Sequence, residues 1–123
     1  MILVVDDDNG VRATIARGLA ALGYKVREAD SGPAALERIA EERPSLVILD
    51  YVMPGMDGAE AAREIANVEP GLPVIFSTGH RALRALRNAA GEGIPVLEKP
   101  FSLDDLEQLI EETLTEARRA RAG

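Results

Sequence analysis

Five short apolar runs, each followed by a stretch of helical periodicity, leave few folds open to this chain. Ile2–Val5 and residues 46–49 are wholly apolar, as strands buried on both faces are. Residues 24–29 read as a more exposed strand, because Lys25, Arg27 and Glu28 interrupt it, and residues 74–76 and 95–98 complete the set. After the first run Val11, Ile15, Leu19 and Leu22 recur at helical spacing until Gly23. Gly32 and Pro33 open a second helix that ends before Pro44, and residues 59–66 form a short third one. Leu83, Leu86 and Ala90 mark a fourth, broken at Gly91 and Gly93. Ser102 and Asp105 cap a fifth, lined by Leu103, Leu106, Leu109 or Ile110, and Leu114. Parallel strands need crossover connections, and right-handed crossovers place helices on both faces. The pattern therefore predicts an α/β doubly wound five-stranded parallel sheet, and 123 residues fit a single domain, 1–123.

Ligands in such folds sit beyond the carboxyl ends of the strands. Asp6, Asp7 and Asp8 follow the first strand and Asp50 ends the third. Ser77 and Thr78 end the fourth and Lys99 follows the fifth. Carboxylates gathered on one edge repel one another, and raised pKa values or a bound cation relieve the repulsion. Oxygen ligands without histidine or cysteine select a hard ion, magnesium first and manganese second. Asp7 and Asp50 can ligate it directly and Asp6 through bound water. Asp50 can also attack phosphorus, while Lys99 neutralises phosphoryl oxygens and Thr78 donates a hydrogen bond to one. Taken singly, each of these residues has a blander reading as a turn, a cap or a solvated charge. Asp57, beside Gly58, is a turn or cap residue. His80 is an exposed residue at a helix start, and Ser77 faces the core or caps the following helix. Met53 and Met56 are packing residues, and Tyr24 and Tyr51 are partly buried.

Charge and composition remove other classes. With 21 acidic and 14 basic residues the net charge is −7, which speaks against direct nucleic-acid binding. The basic tail of Arg118, Arg119 and Arg121 suits the dipole of a helix C-terminus. No apolar run approaches the roughly 18 residues of a membrane span, and the start runs straight into aspartates, so a cytoplasmic location without membrane contact is expected. Absence of cysteine removes disulfides and thiolate metal sites.

The ordered set Ile2-Leu3-Val4-Val5-Asp6-Asp7-Asp8, Leu46-Val47-Ile48-Leu49-Asp50, Met53-Pro54-Gly55-Met56-Asp57-Gly58, Thr78-Gly79 and Lys99-Pro100-Phe101 resembles the receiver domains of two-component response regulators. The resemblance spans nearly the whole chain. It implies a flavodoxin-like (βα)5 fold with strand order 2-1-3-4-5. It makes Asp50 the phosphoacceptor, Asp6 and Asp7 the acidic pair, and the Val52 backbone carbonyl a further ligand of the magnesium ion. Thr78 becomes the switch hydroxyl and Lys99 the phosphate-pairing lysine, followed by a peptide bond to Pro100 that is cis in many relatives. The implied partner is a histidine kinase or histidine phosphotransfer protein. Activated relatives often form homodimers through the last strand and helices. Val96 is a departure, since relatives often carry Tyr or Phe three residues before the lysine and a valine has no ring to swing inward.

The chain carries no output domain, so the resemblance implies either a stand-alone receiver or the receiver segment of a longer protein such as a hybrid histidine kinase. Its competitor is a receiver-like interaction module that is never phosphorylated. A phosphohydrolase using an aspartyl-phosphate would need an acid two residues after the nucleophile, where Val52 stands. A flavin or nucleotide carrier would need a phosphate loop where Asp6, Asp7 and Asp8 would repel phosphate.

Overall fold

A computed structural model describes residues 1–122, so that Gly123, the last residue of the expected domain, lies outside the described residues. Strands and helices alternate as β1 Ile2–Val5, α1 Asn9–Ala21, β2 Val26–Ala29, α2 Gly32–Glu41, β3 Leu46–Asp50, α3 Gly58–Val68, β4 Val74–Gly79, α4 His80–Ala90, β5 Val96–Lys99 and α5 Leu103–Ala122. The strands form one parallel sheet in the order β2-β1-β3-β4-β5. The doubly wound order implied by the resemblance is thus the order adopted.

Alternation along each strand divides the apolar side chains between two layers. Leu3, Val5, Val47, Leu49 and Phe76 face α2, α3 and α4, where Ala35, Ile39, Ala61, Ile65 and Leu86 meet them. Ile2, Val4, Ile48, Ile75 and Leu97 face α1 and α5, against Ile15, Leu19, Leu106 and Ile110. Central β1 and β3 are buried throughout, while β2 at the edge keeps Val26, Arg27 and Glu28 wholly or partly exposed. That is the exposure its charges require.

Several boundaries differ from the sequence expectation for local reasons. Strand β2 begins at Val26 and not at residue 24, because Tyr24 still donates its amide to Leu19 O in the turn that closes α1. Helix α3 runs from Gly58 to Val68, longer than 59–66, because the Asp57 side chain accepts from Glu60 N and caps it. Strand β4, by contrast, ends at Ser77, Thr78 and Gly79 as expected, paired with β3 and β5. Strand β5 spans Val96–Lys99, one residue later than expected. Leu103 is 42% exposed, so the buried line of α5 begins at Leu106.

Gly58 holds the β3–α3 loop against the sheet. Its amide donates to Tyr51 O at 2.7 Å, and a Cβ there would lie 2.7 Å from both Asp50 O and Tyr51 Cα. Backbone cannot yield as a flexible side chain can, so Gly58→Ala is expected to destabilise by about 1–3 kcal/mol. A urea-denaturation midpoint equal to wild type would refute that close approach.

Candidate functional site

The carboxyl edge of the sheet collects its polar groups from three strands and the loops that leave them. Asp6 follows β1 and is 2% exposed, Asp50 ends β3 and is 6% exposed, and Asp7 is exposed between them and solvent. One carboxylate oxygen of each lies within 4.8 Å of the others. Lys99, at the end of β5, points its Nζ at both buried carboxylates, 3.4 Å from Asp6 Oδ2 and 3.5 Å from Asp50 Oδ1. Both contacts are longer than the roughly 2.7–2.9 Å of a tight charge-assisted bond.

Local structure fixes the acidic pair. Asp6 extends the ladder through its amide, which donates to Ala29 O, and its Oδ1 accepts the Asp8 amide at 2.9 Å. Asp8 turns away and caps α1, its Oδ1 accepting from Val11 N. Arg12 reaches back from the first turns of α1 to donate to Asp6 O at 2.7 Å, to Asn9 Oδ1 and to Glu28 Oε1. Sequence reasoning missed this clamp. Its only sequence signal is an arginine one helical turn after Asp8, a spacing that many surface pairs share.

The site is electrostatically loaded. Burial raises the Asp50 carboxyl most, the neighbouring Asp6 raises it further, Lys99 pulls it back, and the outcome is a pKa pushed up to about 6. Three close carboxylates facing one loosely placed ammonium form an all-oxygen donor set that suits a hard divalent cation such as Mg2+.

Other expected residues are placed as follows. Thr78 is buried near the carboxyl end of β4, but its Oγ1 donates weakly to Gly79 O at 3.4 Å and makes no hydrogen bond to the carboxylates among the described residues. Val52 lies two residues past Asp50 with its side chain 60% exposed. Val96 is half-buried, pairs with Phe76, and packs on the α2–α4 layer. The bond between Lys99 and Pro100 is cis, the isomer the resemblance implies. Asp57 is the α3 cap, and His80 is exposed with Nδ1 3.1 Å from Glu98 Oε1, a contact sequence reasoning did not foresee. Met53 is buried in the α2–α4 layer, where Met56 and Tyr51 pack against it. Ser77 faces the core, buried and with no hydrogen-bond partner for its hydroxyl among the described residues.

An acidic cluster opposed by a lysine at the carboxyl edge of a 2-1-3-4-5 sheet defines a class of signalling domain. The family model for the response regulator receiver domain matches residues 2–111, and the chain belongs to that family. It is 41% identical over 117 residues to the response regulator receiver protein CpdR of Brucella abortus (strain 2308), covering 94% of this chain and 98% of that one. It is 35% identical over 116 residues to the DNA-binding transcriptional regulator NtrC of Escherichia coli (strain K12), covering 94% of this chain but 25% of that longer protein. The crystal structure of the receiver domain of NtrX from Brucella abortus superposes with a TM-score of 0.87 at 35% identity, covering 94% of this chain and 98% of that one. Receiver domains work in two-component signalling with histidine kinases, and Mg2+ bound by acidic residues is typical of them. The chain is accordingly a signalling domain and not a metabolic enzyme. Among the described residues no helix is long and apolar enough to cross a membrane.

The raised Asp50 pKa has a consequence for metal-free protein. The folded state holds a proton at Asp50 up to about pH 6, whereas the unfolded chain releases it near the ordinary value of 3.8. Between those values the unfolded state binds fewer protons, so stability falls as pH rises, and the deficit is complete above about pH 6. In chelator, Asp50→Asn should therefore exceed wild type in stability by about 1–3 kcal/mol at pH 8, with the gain vanishing below pH 4. Equal thermal midpoints at pH 8 would contradict this.

Proposed function

We propose that Asp50 accepts a phosphoryl group from a phosphohistidine on a histidine kinase or histidine phosphotransfer protein. The single observation that carries this reading is the buried Asp50 carboxylate, clustered with Asp6 and Asp7 and faced by the Lys99 ammonium. A carboxylate oxygen of Asp50 attacks phosphorus, the P–N bond breaks, and the imidazole nitrogen leaves with the bonding pair. Asp6, Asp7, Asp50 and the Val52 carbonyl would hold the Mg2+ ion, with Mn2+ as substitute, and when bound it neutralises charge on the phosphoryl oxygens. Lys99 turns from the carboxylates to those oxygens, and Thr78 rotates its weakly engaged hydroxyl toward one of them. Phosphoryl transfer asks for little beyond this positioning and charge.

The aspartyl phosphate is then lost slowly to water, a self-reaction that turns over no external substrate. The signal appears on the surface around β4, β5, α4 and α5, where a phosphorylation-linked homodimer would form. Val96 takes the family's aromatic switch position, so Thr78 acts there without a swinging ring. A cytoplasmic location fits this reading.

Incubation with phosphoramidate and Mg2+ should add the mass of one phosphoryl group to wild type. Asp50→Ala should add none, and chelator should abolish the adduct. Lys99→Ala should slow labelling roughly 10–100-fold. An unlabelled wild type with its circular dichroism intact would instead support an interaction module that is never phosphorylated.

A further inference from the structure

Lys99 can reach Asp50 only by crossing a strand. It stands on β5, Asp50 on β3, and β4 runs between them, so the side chain spans about two strand spacings of 4.8 Å. On the face of the sheet shared with Asp50, the residue of β4 in register with it is Ser77. Alternation puts Ser77 on that face together with Ile75, Leu97 and Lys99, and puts Thr78 on the other with Phe76.

Ser77 is 1% exposed, and its hydroxyl has no hydrogen-bond partner among the described residues. Such an orphaned group is costly, and an alanine would fit an apolar slot without that cost. Lys99 meanwhile has three N–H donors and spends two of them on long contacts. An unsatisfied acceptor therefore stands on β4, the strand that the lysine crosses, in register with the carboxylate that the lysine's partly engaged ammonium serves.

We propose that Ser77 is a positioning residue for phosphoryl transfer, its Oγ accepting a hydrogen bond from the Lys99 ammonium and steadying that cation over Asp50 as the phosphoryl group arrives. This rests on the reading of Asp50 as phosphoacceptor. The hydroxyl acts through Lys99 and touches neither donor nor product. As an acceptor it competes with no phosphoryl oxygen for more than one of the three ammonium protons.

The test is the rate of Mg2+-dependent labelling by phosphoramidate, followed by intact mass, for wild type, Ser77→Ala and Ser77→Thr. Each substitution is also made in a Lys99→Met background with extended incubation. Ser77→Ala should slow labelling about 5–10-fold at saturating donor with the half-saturating concentration unchanged, and threonine, which keeps the hydroxyl, should restore the rate to within about twofold. In the Lys99→Met background Ser77→Ala should change nothing further, because the group it positions is gone. The ammonium 15N–1H signal of Lys99 should also shift in Ser77→Ala protein that carries no phosphoryl group. Labelling of Ser77→Ala at the wild-type rate, an equal slowing in both backgrounds, or an unmoved Lys99 signal would overturn the role of Ser77 alone. A wild type that takes no phosphoryl group would overturn the reading of Asp50, and this inference with it.

Discussion

Everything at the working edge of this domain depends on like charges held together by a fold that does not neutralise them. Asp6 and Asp50 are buried side by side, Asp7 completes the cluster, and a single lysine reaches them from two strands away. In water such carboxylates would separate. Here they cannot, because each is attached to a strand or strand end whose position is set by apolar packing beneath it. The sheet's hydrophobic energy offsets the repulsion, and the repulsion in turn creates an affinity for positive charge.

The division of labour among neighbouring residues follows from that constraint. Asp6 and Asp8 are two residues apart, yet one accepts a loop amide within the cluster and the other caps α1. Asp50 and Asp57 bracket one loop, one buried and one serving α3 as its cap. Caps and clamps stiffen the loops from outside, as Arg12 does by donating to Asp6 O. Among the described residues the Asp50 carboxylate is left with only the long contact from Lys99. For the phosphoryl transfer proposed above, backbone positions fixed in this way would leave only side-chain rotations to be made.

What the sequence discloses and what it hides divide along physical lines. Strand β1, strand β3 and the gathering of Asp6, Asp7, Asp50 and Lys99 were legible, because continuous apolar runs and strand-end polar residues are one-dimensional signals, whereas the sheet order came only from the family resemblance. Helix α3 beginning at Gly58, and β2 beginning at Val26, were not, since both depend on hydrogen bonds from the adjoining loops. The Arg12 clamp joins three different acceptors across a fold, and nothing local in the sequence marks it. Thr78 was correctly placed at the edge, yet its hydroxyl is aimed at Gly79 O, because rotamer choice is decided by neighbours that the sequence does not order in space. Ser77 read as an ordinary core or cap residue, and only the strand register reveals that it stands beside Asp50 on the strand that Lys99 crosses.

Among the described residues, the imperfectly partnered buried polar side chains are not scattered. At the amino edge of the sheet Ile2 and Leu46 are 1% and 0% exposed, and the backbone there is fully engaged by Lys25 O and Pro73 O at its margins. At the carboxyl edge stand two long lysine contacts, a 3.4 Å threonine bond, an orphaned serine hydroxyl and a carboxyl with a raised pKa. A sheet optimised for stability alone would close these contacts or replace the groups with apolar ones, as it has done everywhere below. Among the described residues the buried polar side chains, Asp6, Asp50, Ser77 and Thr78, all stand at this edge, as groups kept available for partners the resting domain does not supply would. On the proposed reading, a phosphoryl group, with oxygens to accept and charge to neutralise, would engage the lysine and threonine contacts together. The modified domain would then be the more complete one, and a difference of that kind between two states is what a switch requires.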